Sequence, residues 1–290
     1  MYILGFETTG PICSVALLDL DNPSRLFMLN GNEPMSHLKS LTDNARRLMA
    51  DSGVDVKGIA AAATSIGPGS FTGIRIGVTT ARTVAQALDI PCIAVPTLEI
   101  FRSLSEDCTV VPIFNARRGQ VYGAIFSRGV DVLVPGPYML EDVLAELEKY
   151  IDSDEVASLY CASSEGAEEC VSKKDSCIVF YGDGVDAYSD RLNEFKNDIE
   201  SVCAAGEETS RQKGAGHNNC LIEFADEDER YQTADLVVRF AAEKLAKGET
   251  CTVDELIPVY MRKAEAEQKL EDGTLQKLRE EKLARLMAGN

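Results

Sequence analysis

The stretch Tyr2–Leu20, YILGFETTGPICSVALLDL, decides the reading of the fold. Tyr2–Thr8 and Cys13–Leu20 are rich in strand formers, and Gly10-Pro11 between them marks a chain reversal. A third strand, Arg25–Leu29, follows Asp21-Asn22-Pro23, a second turn signal. Further out, Pro34 suits the first turn of a helix in which Met35, Leu38, Leu41, Ala45, Leu48 and Met49 recur at helical spacing, and Gly53 can end it. Gly58–Ser65 is small and apolar and reads as a buried strand. The loop Gly67-Pro68-Gly69-Ser70 then opens a helix near Thr72–Leu88, whose inward face is Ile74, Val78, Ala81, Ala85 and Leu88. Ile90–Val95 reads as a strand and Pro96–Leu104 as a short helix, so the order is β-β-β-α-β-α-β-α.

The second half repeats this order loosely. Val110–Asn115 and Val121–Phe126 flank Arg117-Arg118-Gly119 as a hairpin, Met139–Ile151 has helical periodicity, and Cys177–Tyr181 is a strand before Gly182-Asp183-Gly184. Tyr231–Lys247 is a helix with Leu236, Val237, Phe240, Ala241 and Leu245 on one face, and Gly248 lies at its end. Ser158–Ser176 and Ala204–Asn219 are poor in large apolar residues and read as exposed insertions. Thr274–Met287 outlines an amphipathic helix through Leu275, Leu278, Leu283 and Leu286. A mixed sheet followed by a degenerate copy of itself predicts an α/β, two-lobed, duplicated ribonuclease-H-like fold of the actin/Hsp70-like (ASKHA) kind. Residues 1–104 form the expected first lobe. Residues 105–255 form the second, with insertions near 158–176 and 204–219, and 256–290 is a segment that can return to the first lobe.

Composition narrows the function classes. With 29 basic and 47 acidic residues the formal charge is −18, a surface that repels phosphate backbones, so any RNA in the pathway is expected on another chain. The nine cysteines include no C-x-x-C unit, which argues against a zinc ribbon or a thioredoxin-type site. Met1–Leu4 run straight into a strand without a basic leader, and no apolar run is long enough for a membrane span. The expectation is a cytoplasmic protein with reduced thiols and no membrane partner.

Four stretches resemble the TsaB/TsaD family: Ile3–Thr9 (ILGFETT), Ser65–Gly77 (SIGPGSFTGIRIG), Asn115–Tyr122 (NARRGQVY) and Pro258–Arg262 (PVYMR). The second is the most specific, and the four run through most of the chain in the family's order. The two insertions and the residues after about Glu265 lie outside the resemblance. The catalytic, TsaD-like branch has two metal-binding histidines four residues apart after the strand that follows the Gly-Pro-Gly helix. In this chain the matching positions are Thr97 and Phe101, and the only histidines are His37 and His217, so no His-x-x-x-His exists. Phenylalanine has no donor atom and threonine is a weak ligand. The resemblance therefore implies the non-catalytic, TsaB-like branch, with no catalytic residue and no metal of its own. It implies a subunit that pairs with a TsaD-like catalytic subunit through the two helices of the first lobe. A TsaE-like ATPase joins the pair, and the assembly transfers threonylcarbamoyl from its adenylate to N6 of the adenosine beside the tRNA anticodon. On this reading tRNA is met only through the complex, and a homodimer can form through the same helices when the partner is missing.

The residues expected at that partner interface are His37, Leu38, Leu41, Ala45, Leu48, Ile74, Gly77, Val78 and Ala81. The competing reading is that these two helices only cover the sheet. The candidate nucleotide contacts are Glu7, Thr8, Thr9, Arg75 and Arg82, with Arg117 and Arg118 as further basic groups. In kinases of this fold an acid at the end of the first strand orients Mg²⁺ and the Gly/Thr turn approaches phosphate. The competing reading makes Glu7 a cap of its own turn and each arginine a surface ion pair. No tightly bound cofactor is expected, and ATP or ADP is a candidate only at the partner interface. Gly67, Pro68 and Gly69 at a helix start offer either an anion site or a close structural approach. An ASKHA metabolite kinase or nucleotide-binding protein is the alternative function, and the absence of an evident kinase-type adenosine loop weighs against it. A peptidase has no Ser-His-Asp or Cys-His pattern to support it.

Overall fold

The computed structural model describes residues 1–31, 37–106, 108–152, 176–210 and 220–261; the side chains of 37–40, 176, 202–210 and 220 are not among those described. The chain divides into two units, Met1–Val259 and Tyr260–Asn290, and the second lies outside the described residues from 262 on. The helix expected over Thr274–Met287 and the insertion expected at 158–176 therefore fall outside them, apart from the last residue of the latter.

The first five strands are β1 (Tyr2–Glu7), β2 (Ser14–Asp19), β3 (Leu26–Asn30), β4 (Ile59–Gly67) and β5 (Cys92–Pro96), in the order β3-β2-β1-β4-β5. β1–β2 and β2–β3 pair antiparallel, while β1–β4 and β4–β5 pair parallel. The second sheet holds β6 (Thr109–Asn115), β7 (Gln120–Ser127), β8 (Val130–Met139), β9 (Ser176–Tyr181) and β10 (Cys220–Phe224), in the order β10-β9-β6-β7-β8. Read from β8, the order is again the third, second, first, fourth and fifth strand of its half, with the same parallel and antiparallel pairs. The duplication is thus complete at the level of topology, as an ASKHA fold requires. Two of its strands, β8 and β10, have no counterpart in the sequence reading.

Helices α1 (His37–Ser52) and α2 (Phe71–Leu88) follow β3 and β4. In the second half α3 (Leu140–Ile151) follows β8, and α4 (Gly184–Ala187) and α5 (Ser189–Ser210) follow β9. The insertion expected at 204–219 is corrected in its first part, because Ala204–Ser210 continues α5. α6 (Ala234–Ala246) starts three residues later than the sequence suggested, since Gln232 and Thr233 lead into it as extended chain.

Strand alternation sends successive side chains to opposite faces, and each sheet has two covered faces. Leu4, Phe6, Val15 and Leu17 meet Leu41, Leu48, Ile74 and Val78 of α1 and α2. On the opposite face, Ile3, Ala16, Leu18, Ala61 and Ala63 meet Val237, Val238 and Ala241 of α6 together with Phe101 and Phe114. α6, placed by sequence with residues 105–255, therefore covers the first sheet. Residues 251–259 lie along the same sheet: Cys92 and Cys251 exchange backbone hydrogen bonds of 2.9 and 2.8 Å, Leu256 is fully buried, and Val259 N–H donates to the Ile66 carbonyl at 2.8 Å. Burial pushes the Cys13 and Cys92 thiols up to about 11, as suits packing residues. No helix among the described residues is long and apolar enough to cross a membrane.

Candidate functional site

The motif SIGPGSFTGIRIG places the start of α2 directly on the turn that ends β1. Ser70 caps the helix by accepting the Gly73 N–H at 3.2 Å, and the Ser70 N–H donates to the Thr9 carbonyl at 2.8 Å. The Thr8 hydroxyl donates to the Gly73 carbonyl at 2.7 Å. A Cβ on Gly73 would stand 1.9 Å from the Thr8 carbonyl oxygen, and one on Gly77 would stand 2.6 Å from the hydroxyls of Thr8 and Thr64. The glycines of this motif are spacers for helix-on-turn contact.

Glu7 is fully buried at the end of β1. One carboxyl oxygen accepts from the Thr9 N–H and the Thr9 hydroxyl, both at 2.5 Å, and the other accepts from the Ser65 hydroxyl. Burial raises its pKa, and the hydrogen bonds from Ser65 and Thr9 offset part of that rise. Gly10, next along, lies under the Gln232 side chain, whose amide nitrogen is 2.4 Å from where a Cβ would be. Gln232 is itself buried, and its carbonyl oxygen has no hydrogen-bond partner among the described residues.

The five candidate nucleotide contacts do not converge. Glu7, Thr8 and Thr9 are buried beneath α2 and bonded to the chain's own groups. Arg75 is on the exposed side of α2, its guanidinium 4.0 Å from the centre of the Phe71 ring, and Arg82 pairs with Asp254 at 3.4 Å. For Glu7 the competing reading, a cap of its own turn, describes the geometry.

The expected interface residues need a similar correction. Leu41, Ala45, Leu48, Ile74, Gly77, Val78 and Ala81 are buried between their helices and the first sheet, so no partner can touch them in the folded chain. Their spacing marks the stripe that covers the sheet. The side chains of His37 and Leu38 lie outside those described. The reverse side of the two helices is open: Arg46 on α1 and Phe71, Arg75, Thr79 and Thr83 on α2 are exposed. There α2 and the 251–259 segment border a cleft of about 330 Å³ lined by Thr79, Arg82, Thr83, Gln86, Val253 and Asp254. Nothing in the sequence pattern joins Val253 and Asp254 to α2, because that contact depends on the return of the chain to β5.

Thr97 and Phe101 do not fit a metal. Both are fully buried; the Thr97 N–H donates to the Gly67 carbonyl at 2.9 Å, and its hydroxyl has no partner among the described residues. The Phe101 ring packs 6.0 Å from Phe114 and 5.4 Å from Tyr181, centre to centre, so an aromatic cluster fills the position.

At the carboxyl end of β6 the turn Asn115–Gln120 is braced from several sides. Asn115 Oδ1 accepts the Arg117 N–H at 2.8 Å, and the Tyr188 hydroxyl reaches Asn115 Oδ1 at 3.3 Å and the Gln120 carbonyl at 3.2 Å. Asp183 Oδ1 accepts the Asn115 N–H at 3.0 Å, and the Leu140 N–H donates to the Gly119 carbonyl at 3.0 Å. Arg117 and Arg118 stand exposed at its tip. The sequence reading saw the turn but missed its supports: Asn115 at the end of β6, and Asp183 and Tyr188, which flank α4.

A family model described as TsaD, tRNA N6-adenosine threonylcarbamoyltransferase, matches residues 34–270. The curated protein named tRNA threonylcarbamoyladenosine biosynthesis protein TsaB from Bacillus subtilis (strain 168) is 35% identical over 130 residues, 43% of this chain and 55% of that protein. Its namesake from Escherichia coli (strain K12) is 33% identical over 132 residues, 44% of this chain and 56% of that protein. The chain thus spans about half the length of the curated relatives it matches. Among solved structures, YeaZ from Pseudomonas aeruginosa superposes with a TM-score of 0.56 at 22% identity, covering 89% of this chain and 99% of that one. A second structure, described as an uncharacterized protein with similarity to peptidase YEAZ from Pseudomonas aeruginosa, gives 0.58 at 21%, covering 90% and 99%. At that identity the likeness speaks to the fold.

Proposed function

The chain belongs to the TsaD/TsaB family, and from that premise we propose that it is the non-catalytic, partner-binding subunit of a tRNA threonylcarbamoyladenosine-forming assembly. The observation that carries the reading is the filling of positions 97 and 101. Where the catalytic branch is expected to hold its metal between two histidines, this chain has a buried threonine and a phenylalanine packed in an aromatic cluster. A chain that lacks the donors can still serve by holding the subunit that has them.

The partner surface on this reading is the outer side of α1 and α2, with Phe71 and Arg75 near the start of α2 and the Thr79–Asp254 cleft beside them. A TsaD-like subunit docks there, a TsaE-like ATPase joins the pair, and tRNA is met through the assembly. Two copies of this chain use the same side when the partner is absent. A nucleotide at that interface would meet Arg75 and Arg82; Glu7 is spent on Thr9 and Ser65. This internal use of Glu7, with Gln232 over Gly10, weighs against the metabolite-kinase reading.

The test is size-exclusion with light scattering of this chain mixed with the TsaD-like paralogue of its own organism. A stable heterodimer is expected, lost in a Phe71→Glu/Thr79→Glu variant that keeps the wild-type melting curve. Separate elution of the wild-type proteins, even with the ATPase, ATP and Mg²⁺ present, would sink the subunit reading. An intact heterodimer in the variant would sink its placement on α2.

A further inference from the structure

The segment after α6 returns to the first sheet on few contacts. Among the described residues, Cys251 makes one isolated antiparallel bridge to Cys92 on β5, Leu256 is buried, and Val259 reaches Ile66. The ion pair between Asp254 and Arg82 lies in the open and adds little. A single bridge thus carries much of the attachment, and both of its residues are cysteines.

The bridge sets them opposite each other. Each backbone N–H donates to the other's carbonyl, at 2.9 and 2.8 Å. In a directly opposed pair of this kind the Cα atoms stand about 5.5 Å apart and the side chains share a face. A disulfide spans about 4.4–6.8 Å between Cα atoms. The packing agrees: Cys92 belongs to the buried cluster under α1 and α2, and Cys251 packs against that same cluster. The Cys251 thiol donates to the Cys92 carbonyl at 3.5 Å, so its sulfur already leans over its neighbour. Both thiols are free, Cys92 fully buried and Cys251 half-buried. That difference divides the roles, because the thiol a solute can reach reacts first and the one behind it resolves the product. Burial raises the Cys251 thiol, and the Ala94 N–H directed at its sulfur opposes part of that rise. Burial pushes Cys92 up to about 11. Both shifts make closure slow, since the thiolate is the attacking form.

We propose that Cys92 and Cys251 are a redox-sensitive staple, which a peroxide oxidises to a disulfide that locks residues 251–259 onto β5. The Cys251 thiolate attacks one peroxide oxygen, the O–O bond breaks, and a sulfenic acid forms as hydroxide leaves and takes up a proton. The Cys92 thiolate then attacks the Cys251 sulfur, the S–O bond breaks, and the departing hydroxide leaves as water with the proton given up by Cys92. The two thiols lose two electrons and two protons, and the peroxide becomes two waters. A dithiol reverses the step by exchange. Val253 and Asp254 line the cleft beside α2, so closing the staple fixes one wall of that cleft. The staple depends on this chain alone and stands apart from the pairing of α1 and α2 with a partner.

The test treats the full chain with hydrogen peroxide, alkylates the remaining thiols, digests it without reductant and maps the linked peptides by mass spectrometry. A peptide pair joining Cys92 to Cys251 is expected, and dithiothreitol should remove it. The closed loop runs through most of the chain, so the oxidised protein should melt about 4–10 °C above the reduced one. Amides of residues 252–259 should also exchange more slowly with deuterium. Cys251→Ser, which changes a half-buried residue, should melt like the reduced wild type and show neither the link nor the peroxide-dependent rise. Native protein that gives no Cys92–Cys251 link after peroxide overturns the proposal. So does a linked protein whose melting and exchange equal those of the reduced form, or a rise that persists in Cys251→Ser.

Discussion

Glu7 is a carboxylic acid with no access to water, and its pKa is raised by that burial. A folded value above the unfolded one of about 4.3 means that the folded state binds the extra proton. Its contribution to stability is therefore most favourable below the unfolded value and is lost as pH rises through the folded one. Glu7→Gln keeps an acceptor for Thr9 and removes the titration. Melting curves from pH 4.5 to 8 should show the variant gaining on the wild type as pH rises; parallel curves would mean that the carboxyl does not set this slope. Asp183, also raised, remains in both proteins, and the lowered groups Asp19, Glu141 and Glu255 act in the opposite sense below that window. Glu7 was visible in the sequence as the acid at a strand end. Which way it faced was not, because its fate depends on Ser65, 58 positions away.

α2 has two sides with different duties. Its sheet side needs glycine at 73, and Gly73→Ala, which in an open helix would gain up to about 1 kcal/mol, should here cost about 1–3 kcal/mol by forcing α2 off Thr8. Urea titration measures it, and an unchanged midpoint would show that helix and turn separate freely. The apolar spacing of α1 and α2 was plain in the sequence and correctly located both helices. It could not say whether the stripe met a sheet or a partner, since both present apolar surface, and Leu41 and Ile74, expected at a partner interface, lie against the first sheet. β8 escaped notice for another reason. Pro135, Gly136 and Pro137 resemble a loop, but β8 is an edge strand, where proline removes N–H groups that would otherwise invite a further strand. α5 was missed because its polar run Ser189–Ser201 shows only a sparse apolar stripe, Leu192, Phe195 and Ile199, that packs against the second sheet.

The two halves share a topology without sharing independence. The α6 face of the first sheet, Ile3, Ala16, Leu18, Ala61 and Ala63, is covered by residues that arrive from positions 234–241. A fragment of residues 1–106 leaves this face bare and should fail to give a cooperative melt or a monomeric peak in size-exclusion. A well-behaved monomer would mean that the first half folds by itself. The duplicated order of strands was legible in outline; the crossing of α6 to the other half's sheet was not, because periodicity locates a helix and leaves its neighbour open. The backbone bonds between Cys92 and Cys251 carry a consequence for synthesis. On a ribosome, β5 emerges long before its partner segment. Between Pro96 and Val259 lie 162 residues, roughly 10–30 s of elongation at about 5–20 residues per second. Through that interval the nascent first sheet carries an open edge and a bare face together. The second sheet can assemble while the first is still waiting, so the half made first is the half finished last.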